Sequence, residues 1–181
     1  MLRSAAASPI ERDMPDAPIH VVSYDPAWAT RFEHEKAHLQ VLLAPWRLGP
    51  IEHVGSTAVA GLCAKPVIDV MVGVRSLAES EPAKGVLCAN GYQYSDYRSD
   101  IIHWFCKPSF EFRTHHLHLV PYDSSVWHAR LRFRDILRSA PTIAAEYAAL
   151  KLELAKRFQF DREAYTEAKA PFITRVLESA K

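Results

Sequence analysis

Charge of one sign, long hydrophobic runs and paired cysteines are all missing from this sequence. Its 22 Lys and Arg residues balance 21 Asp and Glu residues, so a net charge of +1 gives no general reason to expect a nucleic acid or membrane partner. No run approaches the ~20 apolar residues that span a bilayer. Three widely spaced cysteines, Cys63, Cys88 and Cys106, fit neither a zinc motif nor a disulfide framework, which favours a reducing cytoplasm.

The first residues lack the apolar core of a signal peptide as well. Residues 1–18 contain three prolines and no hydrophobic periodicity, so we expect a flexible N-terminal tail. Residues 19–181 are long enough to bury one hydrophobic core, and we expect them to form a single domain.

One stretch, Ile51 to Val74, combines two apolar runs with a small-residue turn between them. The second run, Val67 to Val74, is rich in Val and Ile and predicts a buried strand. Side chains alternate along a strand, so Asp69 points away from the face that carries Ile68, Val70, Val72 and Val74. A lone carboxylate in such a run is costly to bury unless a partner is present.

The turn before this strand has the chemistry of a phosphate site. Gly55 lets the backbone approach a ligand, and Ser56 or Thr57 can cap a following helix over Ala58 to Leu62, whose free amides favour an anion. Asp69 can then hold the divalent metal that neutralises the phosphate. A capped helix beside an Asp that closes a hydrogen-bonded turn explains the same residues without a ligand.

The string EHVGSTAVAGLCAKPVIDVMV, residues 52–72, closely resembles the GrpB family, a branch of the polymerase-beta-type nucleotidyltransferase superfamily. Further motifs of the family recur in order: Tyr24–Trp28 (YDPAW), Gly91-Tyr92, His116–Val120 (HLHLV), Phe133–Arg138 (FRDILR), Tyr147–Lys151 (YAALK) and Tyr165–Lys169 (YTEAK). The resemblance implies a nucleotidyltransferase-like α+β fold, a mixed β-sheet backed by helices. Active members of the superfamily usually carry a second carboxylate two residues after the first, where this chain has Met71.

Two histidines are candidates to complete the site. His116 and His118 share one face of the predicted strand Phe110 to Val120, while Leu117 and Leu119 face the other way. We therefore expect this strand to lie beside Val67 to Val74, with Asp69, His116 and His118 as metal ligands. Alternatively, His118 serves as acid or base with Asp69 as the second catalytic residue. A pair of half-exposed strand histidines is the structural alternative.

Several basic residues are candidates for phosphate binding. Lys65 precedes the strand, and Arg130, Arg134 and Arg138 recur every four residues on one predicted helix. The family resemblance favours Arg134 and Arg138 over Arg130. Lys151 and Lys169 each follow a tyrosine by four residues. Each of these residues can instead belong to an ordinary solvated helix face.

The other elements are predicted from hydrophobic periodicity and from the proline, glycine and aspartate residues that begin or end helices and strands. A helix from Asp25 to Leu43 carries the apolar stripe Trp28, Phe32 and Leu39, with His34, His38, Glu33, Glu35 and Lys36 on a solvated face. Strands are expected at residues 19–23, 50–54, 92–94 and 101–107, and helices at 77–89, 124–139, 141–158 and 162–179, with the C-terminal helices packed alongside the sheet as one unit.

These features predict a protein that binds a nucleotide or another phosphorylated small molecule with a divalent metal, magnesium or manganese first and zinc next. If it is an enzyme, it transfers a nucleotidyl group to a small acceptor. The loss of the second carboxylate at Met71 favours a non-catalytic binding module instead, and the two histidines suit a metal-dependent hydrolase.

Overall fold

The computed structural model describes residues 17–179, and most of the tail expected at residues 1–18 lies outside them. These residues form five strands and six α-helices. In order they are α1 (Ala27–Leu42), β1 (Arg47–Val54), β2 (Ile68–Val74), α2 (Ala83–Ala89), β3 (Gln93–Ser95), β4 (His103–Pro108), β5 (Arg113–Pro121), α3 (Ser125–Ser139), α4 (Pro141–Arg157), α5 (Arg162–Glu167) and α6 (Ala170–Ser179). The fold is therefore α+β.

The sheet is open and mixed, with the strand order β1-β2-β5-β4-β3. The central pair, β2 and β5, is parallel, and the other neighbouring strands are antiparallel. The prediction that the strands carrying Asp69 and His118 are neighbours is confirmed, since Asp69 lies opposite His116 and Met71 opposite His118. All four side chains consequently project from one face of the sheet.

Helices α1 and α2 cover the opposite face. The core there joins the expected stripe of α1 to the inward residues of β2 and β5: Trp28, Phe32, Leu39, Val70, Val72, Leu117 and Leu119. Glu35 was expected on the solvated side of α1, and that expectation is wrong, because its side chain is buried. Its carboxylate accepts hydrogen bonds from Tyr92 and Lys107 of the sheet, which compensates the loss of water.

The face that carries Asp69 is covered more sparsely. Trp127 of α3 packs there with Val54, Met71, Ile102 and Val120, and it closes one end of that face. The C-terminal helices pack beside the sheet, against the turn that follows β1 and against the N-terminal segment near Ile19. Asp69 therefore lies at the open end of this face, where the turn and the C-terminal helices meet.

Several expected elements are shorter than predicted, and proline explains two of them. The helix predicted at 77–89 begins only at Ala83, because Pro82 cannot continue a helix that starts before it. The helix predicted at 162–179 is divided into α5 and α6, since the ring of Pro171 would clash with the carbonyl of Glu167. The strand expected at 19–23 is reduced to one bridge between Val22 and Ala64.

Candidate functional site

Asp69, His116 and His118 form a compact cluster on the sparsely covered face of the sheet. One ligand atom from each lies within 4.8 Å of the others. His116 Nδ1 is 2.9 Å from Asp69 Oδ1, and His118 Nε2 is 3.6 Å from the same oxygen. The Asp69 side chain is 27% exposed, which leaves the cluster accessible from solvent. Strand register alone brings these residues together, since β2 and β5 pair without a bulge at this point.

The histidines of this cluster leave three ring nitrogens without hydrogen bonds. His116 Nε2 and both ring nitrogens of His118 are buried and have no partner among the described residues. Leaving a buried polar atom unpaired costs about 1–3 kcal/mol, and most native structures avoid it. Two imidazoles and one carboxylate at this spacing are a donor set that suits a divalent transition metal. A metal would give one nitrogen of each histidine a partner that the described residues do not supply.

The protonation states also suit metal binding. Burial alone would raise the pKa of Asp69, but the hydrogen bond from His116 and the electrostatic interaction with both histidines hold it well below its usual range. Burial lowers the pKa of His116, although Asp69 opposes the shift. Burial, followed by the charge of Arg130, lowers the pKa of His118 to about 3. At neutral pH the cluster is thus a carboxylate with two neutral imidazoles, the forms that coordinate metals.

Position 55 requires glycine because its backbone lies directly against the Asp69 side chain. Its φ of +73° is a backbone conformation that glycine adopts without strain, and a Cβ at this position would clash with Asp69 Oδ2. The turn after β1 therefore presses its backbone directly onto the carboxylate. Any side chain at position 55 would push Asp69 away from the histidines.

The helix expected after Gly55 is only a three-residue 3-10 turn, Ser56–Ala58, and no side chain caps it. The expectation that Ser56 or Thr57 caps a helix is therefore wrong, because Gly61, at a φ of +78°, ends the segment before a longer helix can form. Thr57 is buried instead, donating to the carbonyl of Val67 at 3.1 Å. Ser56 contacts the buried Tyr147 hydroxyl.

His53 does not face the cluster. It is stacked on Phe32 on the opposite side of the sheet, with ring centroids 4.6 Å apart, and its Nε2 is 3.0 Å from Thr57 Oγ1. His53 therefore contacts the turn after β1 rather than the Asp69 site. His115 lies on that same opposite face, as its parity predicts, with Nε2 3.9 Å from Glu35.

Two lysines meet over the ring of Tyr165 near the cluster. Lys169 Nζ lies 4.3 Å and Lys65 Nζ 5.0 Å from the centroid of this ring. Burial, with the charge of Lys65 second, lowers the pKa of Lys169 to about 7, and Asp69 acts in the opposite direction. The charge of Lys65 disfavours the charged form of Lys169, so an anion bound near both ammonium groups would be stabilised. The break between α5 and α6 places Lys169 here.

Lys151 lies deeper than these two lysines. It is buried, and its ammonium donates to the carbonyl of Cys63. Burial lowers its pKa to about 8. Lys151 thus fastens α4 to the segment before β2.

The arginines of α3 differ sharply in their surroundings. Arg134 donates to Glu52 Oε2 at 2.7 Å and to the carbonyl of His53 at 3.1 Å. Arg138 donates two bonds to the carbonyl of Ala58, at 3.0 and 2.8 Å. Both guanidinium groups therefore bond the backbone of β1 and the turn after it. Arg130, which the family resemblance favours least of the three, acts on Asp69 and His118 by its charge. Its four-residue spacing from Arg134 was the signal that could have included it.

Met71 faces the same side as Asp69, as strand parity predicts. Its side chain is completely buried beneath Trp127 and Val120. The position where a second carboxylate would stand is therefore apolar and sealed by α3. A second metal at this point has no carboxylate to hold it and no access to water.

The GrpB protein family model matches residues 18–179, nearly the whole described chain. This chain belongs to the GrpB family. A UPF0157 protein of Deinococcus radiodurans is 37% identical over 161 residues, which cover 88% of this chain and 81% of that protein. The crystal structure of the conserved protein GrpB from Enterococcus faecalis superposes with a TM-score of 0.80 at 32% identity, covering 89% of this chain and 96% of that one. The fold described above is thus shared with a solved member of the family.

A more distant similarity extends to a dephospho-CoA kinase of Mycolicibacterium paratuberculosis. The identity is 26% over 191 residues, covering 89% of this GrpB-family chain but only 46% of that protein. This chain therefore spans about half the length of that kinase. Among residues 17–179, no helix has both the length and the apolar character needed to cross a membrane.

Proposed function

We propose that this GrpB-family protein binds a nucleotide, or another phosphorylated small molecule, together with one divalent metal, and transfers a nucleotidyl group to a small acceptor. The observation that supports it best is the cluster of Asp69, His116 and His118, with its three unpartnered ring nitrogens. The similarity to dephospho-CoA kinase supports a nucleotide-related ligand. A nucleotidyltransferase-like fold and a cytoplasmic location, consistent with three free cysteines, belong to the same proposal.

Asp69, His116 and His118 would hold the metal. Two imidazoles favour manganese, zinc or another transition metal, whereas magnesium prefers an all-oxygen site. The bound metal would neutralise charge on the reacting phosphate and orient it. Burial lowers the pKa of His118 to about 3, which would make it a weak general base, and this supports the ligand role in the proposal.

Lys65 and Lys169 would bind phosphate oxygens on the side of the cluster where the C-terminal helices lie. The two ammonium groups share the ring of Tyr165, and both are half-buried near Asp69. In this proposal Gly55 and Ser56 present the turn backbone and a hydroxyl to the ligand, while Thr57 supports the turn from behind. Lys151, Arg134 and Arg138 act indirectly, since their donors hold the turn and the segment before β2 in place.

Met71 limits the chemistry to one metal. Its buried, apolar side chain, packed with Trp127, occupies the position where the second carboxylate of a two-metal site would stand. The negative charge of the reacting phosphate would then be neutralised by one metal and the surrounding cationic side chains. A protein that binds its ligand without turning it over is the non-catalytic version of the same proposal.

A metal-dependent hydrolase is the second candidate. It is favoured by the histidine-rich ligand set, because zinc and related metals activate water at neutral pH. The two activities differ in their products. Transfer from a nucleoside triphosphate releases pyrophosphate and leaves the nucleotidyl group on the acceptor, whereas hydrolysis leaves a free nucleotide.

The direct test is calorimetric titration of the full chain with Mn²⁺, Zn²⁺ and Mg²⁺, followed by thermal-shift screening of nucleoside triphosphates with each metal. We expect one transition metal per chain, and a nucleotide-induced rise in melting temperature that requires the metal. Products from the stabilising nucleotide, incubated with and without candidate acceptors, then separate transfer from hydrolysis. If no metal binds, or if nucleotides stabilise the protein equally without metal, the proposal is overturned.

The matched control for every variant of the cluster is Asp123→Asn. Asp123 also pairs with a histidine, His128, at 2.7 Å, but both side chains are more than half exposed. Asp123 also has a positive φ of 63°, which asparagine tolerates. This variant removes an Asp–His contact without touching the proposed site, so metal and nucleotide binding should not change.

A further inference from the structure

Trp104 of β4 lies on the same face of the sheet as the metal cluster. It is paired with His118 of β5, and the next pair on that face joins Cys106 to His116. The Trp104 ring contacts the imidazole of His116, with the ring centroids 5.2 Å apart and the planes inclined by 52°. The Trp104 side chain is only partly buried, so an aromatic surface directly borders the cluster.

A second ring, that of Phe110, lies next to Trp104 on the hairpin between β4 and β5. The two rings are nearly parallel, with an interplanar angle of 20° and centroids 6.3 Å apart. The guanidinium carbon of Arg113 lies 5.3 Å from the Trp104 centroid and 5.9 Å from the Phe110 centroid. Both rings are partly exposed. Partly exposed aromatic rings beside a phosphate or metal site are surfaces on which nucleobases stack.

Hydrogen bonds fix the backbone of Phe110. Its amide donates to Gln93 Oε1 at 2.9 Å, and its carbonyl accepts from Arg113 Nε at 2.8 Å and from Arg162 Nη1 at 2.9 Å. Arg162 also donates to the carbonyl of Glu111 at 3.1 Å. Side chains from β3 and α5 therefore hold the tip of this hairpin, a part of a fold that is often mobile. Because the ring is held in place before a ligand binds, the entropic cost of binding is lower.

Helix α5 connects this hairpin to the lysines proposed to bind phosphate. Arg162, the first residue of α5, bonds the hairpin. Tyr165, three residues later, carries the ammonium groups of Lys65 and Lys169 over its ring. The same short helix thus contacts both the hairpin with its aromatic rings and the cationic side chains.

The distance between the rings and the metal cluster suits a nucleotide. Trp104 is on β4 and Asp69 on β2, with β5 between them, so the two strands are about 10 Å apart. A nucleotide has a ribose between its base and its first phosphate. It is therefore long enough to place its base at Trp104 while its phosphates reach the cluster.

We propose that the rings of Trp104 and Phe110 form the base subsite of the nucleotide-binding site. This inference rests on the proposed function and deepens it, because it identifies the ligand as a nucleotide rather than a phosphorylated molecule without a base. Every nucleobase has a π face, so the two rings accept all of them. Purines, with the larger face, bind more tightly than pyrimidines.

The test compares ATP with inorganic triphosphate, which has the same phosphate chain and no base. Each ligand is titrated calorimetrically into the full chain loaded with Mn²⁺. Phe110→Ala should lower the affinity for ATP about fivefold or more, the loss expected for one stacked base, and leave the affinity for triphosphate unchanged. The ratio of variant to wild-type affinity for each ligand removes the difference in how strongly the ligands bind free Mn²⁺.

Phe112→Ala is the matched control. Phe112 is on the same hairpin, two residues from Phe110, and 74% of its side chain is exposed. Its removal should change the affinity for neither ligand. The Mn²⁺ affinity of each variant, measured without nucleotide, should equal that of the wild type, because the metal ligands are intact.

Substitutions of Trp104 test the second ring. Trp104→Leu should weaken ATP binding about as much as Phe110→Ala, whereas Trp104→Phe keeps a π face and should retain most of the affinity. ATP added to the Mn²⁺-loaded wild type should quench tryptophan fluorescence, and this quenching should be lost in Trp104→Phe, although three of the four tryptophans remain. The conservative variant also serves if Trp104→Leu does not fold.

ATP affinity that is unchanged in Phe110→Ala and Trp104→Leu would overturn the base subsite and leave the proposed function intact. Equal losses for ATP and triphosphate would overturn it too, because they would show that the rings only support the cluster. Absence of Mn²⁺ binding in the wild type would overturn the proposed function, and the base subsite with it.

Discussion

Two buried groups of ionisable residues lie on opposite faces of β5, and they differ in how completely they are satisfied. On the side of α1, Glu35 accepts hydrogen bonds from Tyr92 and Lys107, and His115 bonds the hydroxyl of Thr114 at 2.9 Å. On the other side, His116 and His118 leave three ring nitrogens unpaired. The first group has the arrangement of a structural network. The second carries an energetic penalty that a ligand would remove.

The same strand supplies both groups, so local sequence does not distinguish them. His115 and His116 are adjacent, and burial lowers the pKa of each. What differs is the element above each face: α1 brings a carboxylate to His115, whereas no helix covers Asp69 completely. A stabilising group and a ligand-binding group can therefore be told apart by substitution, since one should lose stability and the other should lose binding.

The largest effect is expected from Asp69→Asn. It keeps the size of the side chain and removes the charge, so the apo protein should melt close to the wild-type temperature. Metal-dependent nucleotide stabilisation should disappear, and any turnover should fall by orders of magnitude, because charge stabilisation at the reacting phosphate is usually the largest catalytic contribution. Calorimetry with Mn²⁺ measures metal binding, and melting curves with nucleotide measure the metal-dependent stabilisation. Unchanged metal-dependent binding would show that Asp69 is not a ligand.

Glu35→Gln should have the opposite effect, lowering the stability of the protein without changing metal binding. It leaves the Lys107 ammonium, which is 22% exposed, without its carboxylate, so we expect a loss of about 3 kcal/mol in the free energy of unfolding. Mn²⁺ affinity should not change. Denaturant unfolding measures the loss, and Glu33→Gln, an exposed residue of the same helix paired with Lys36, is the control at roughly 0.5 kcal/mol or less. A Glu35 variant with wild-type stability would contradict a structural role for this network.

His118→Phe sharpens the comparison further. It replaces two unpaired buried nitrogens by an apolar ring, so the apo protein should keep its stability or gain about 1 kcal/mol, while Mn²⁺ binding is lost. The equivalent change on the other face, His115→Phe, breaks the bond to Thr114 and should destabilise the protein. Denaturant unfolding of the two variants without metal measures the difference. Equal destabilisation of both would mean that His118 is as well partnered as His115.

The smallest effect concerns the pH dependence of phosphate binding at Lys169. With a pKa of about 7, its ammonium is mostly charged at pH 6 and mostly neutral at pH 9. Anion binding requires the charged form, so the lysine contribution is present below pH 7 and is lost as the pH rises through 7. Lys169→Arg stays charged at both values, so its affinity should change with pH only through the ionisation of the phosphate. The ratio of the two affinities removes the ionisation of the phosphate itself, and a ratio independent of pH would exclude Lys169 from the site.

Regular alternation allowed the centre of the site to be predicted. The parity of Asp69 in one strand and of His116 and His118 in another placed them on one face once the two strands were paired. The apolar stripe of α1 and the start of α3, where Ser124 accepts a bond from the amide of Trp127, followed from equally local rules. Glu35 was misjudged because a charged residue on a helix is usually solvated, and nothing nearby in sequence shows what covers it.

The sequence by itself determined the strands, most of the helices, the family resemblance and the residues that form the cluster, because these depend on periods of two and 3.6 residues and on short motifs. Tertiary structure decided which polar groups would be satisfied. Trp127 sealed Met71 in an apolar cluster, Lys107 reached Glu35, and the break at Pro171 brought Lys169 beside Lys65. Such contacts join residues far apart in the chain, so their energies depend on packing that no local pattern contains.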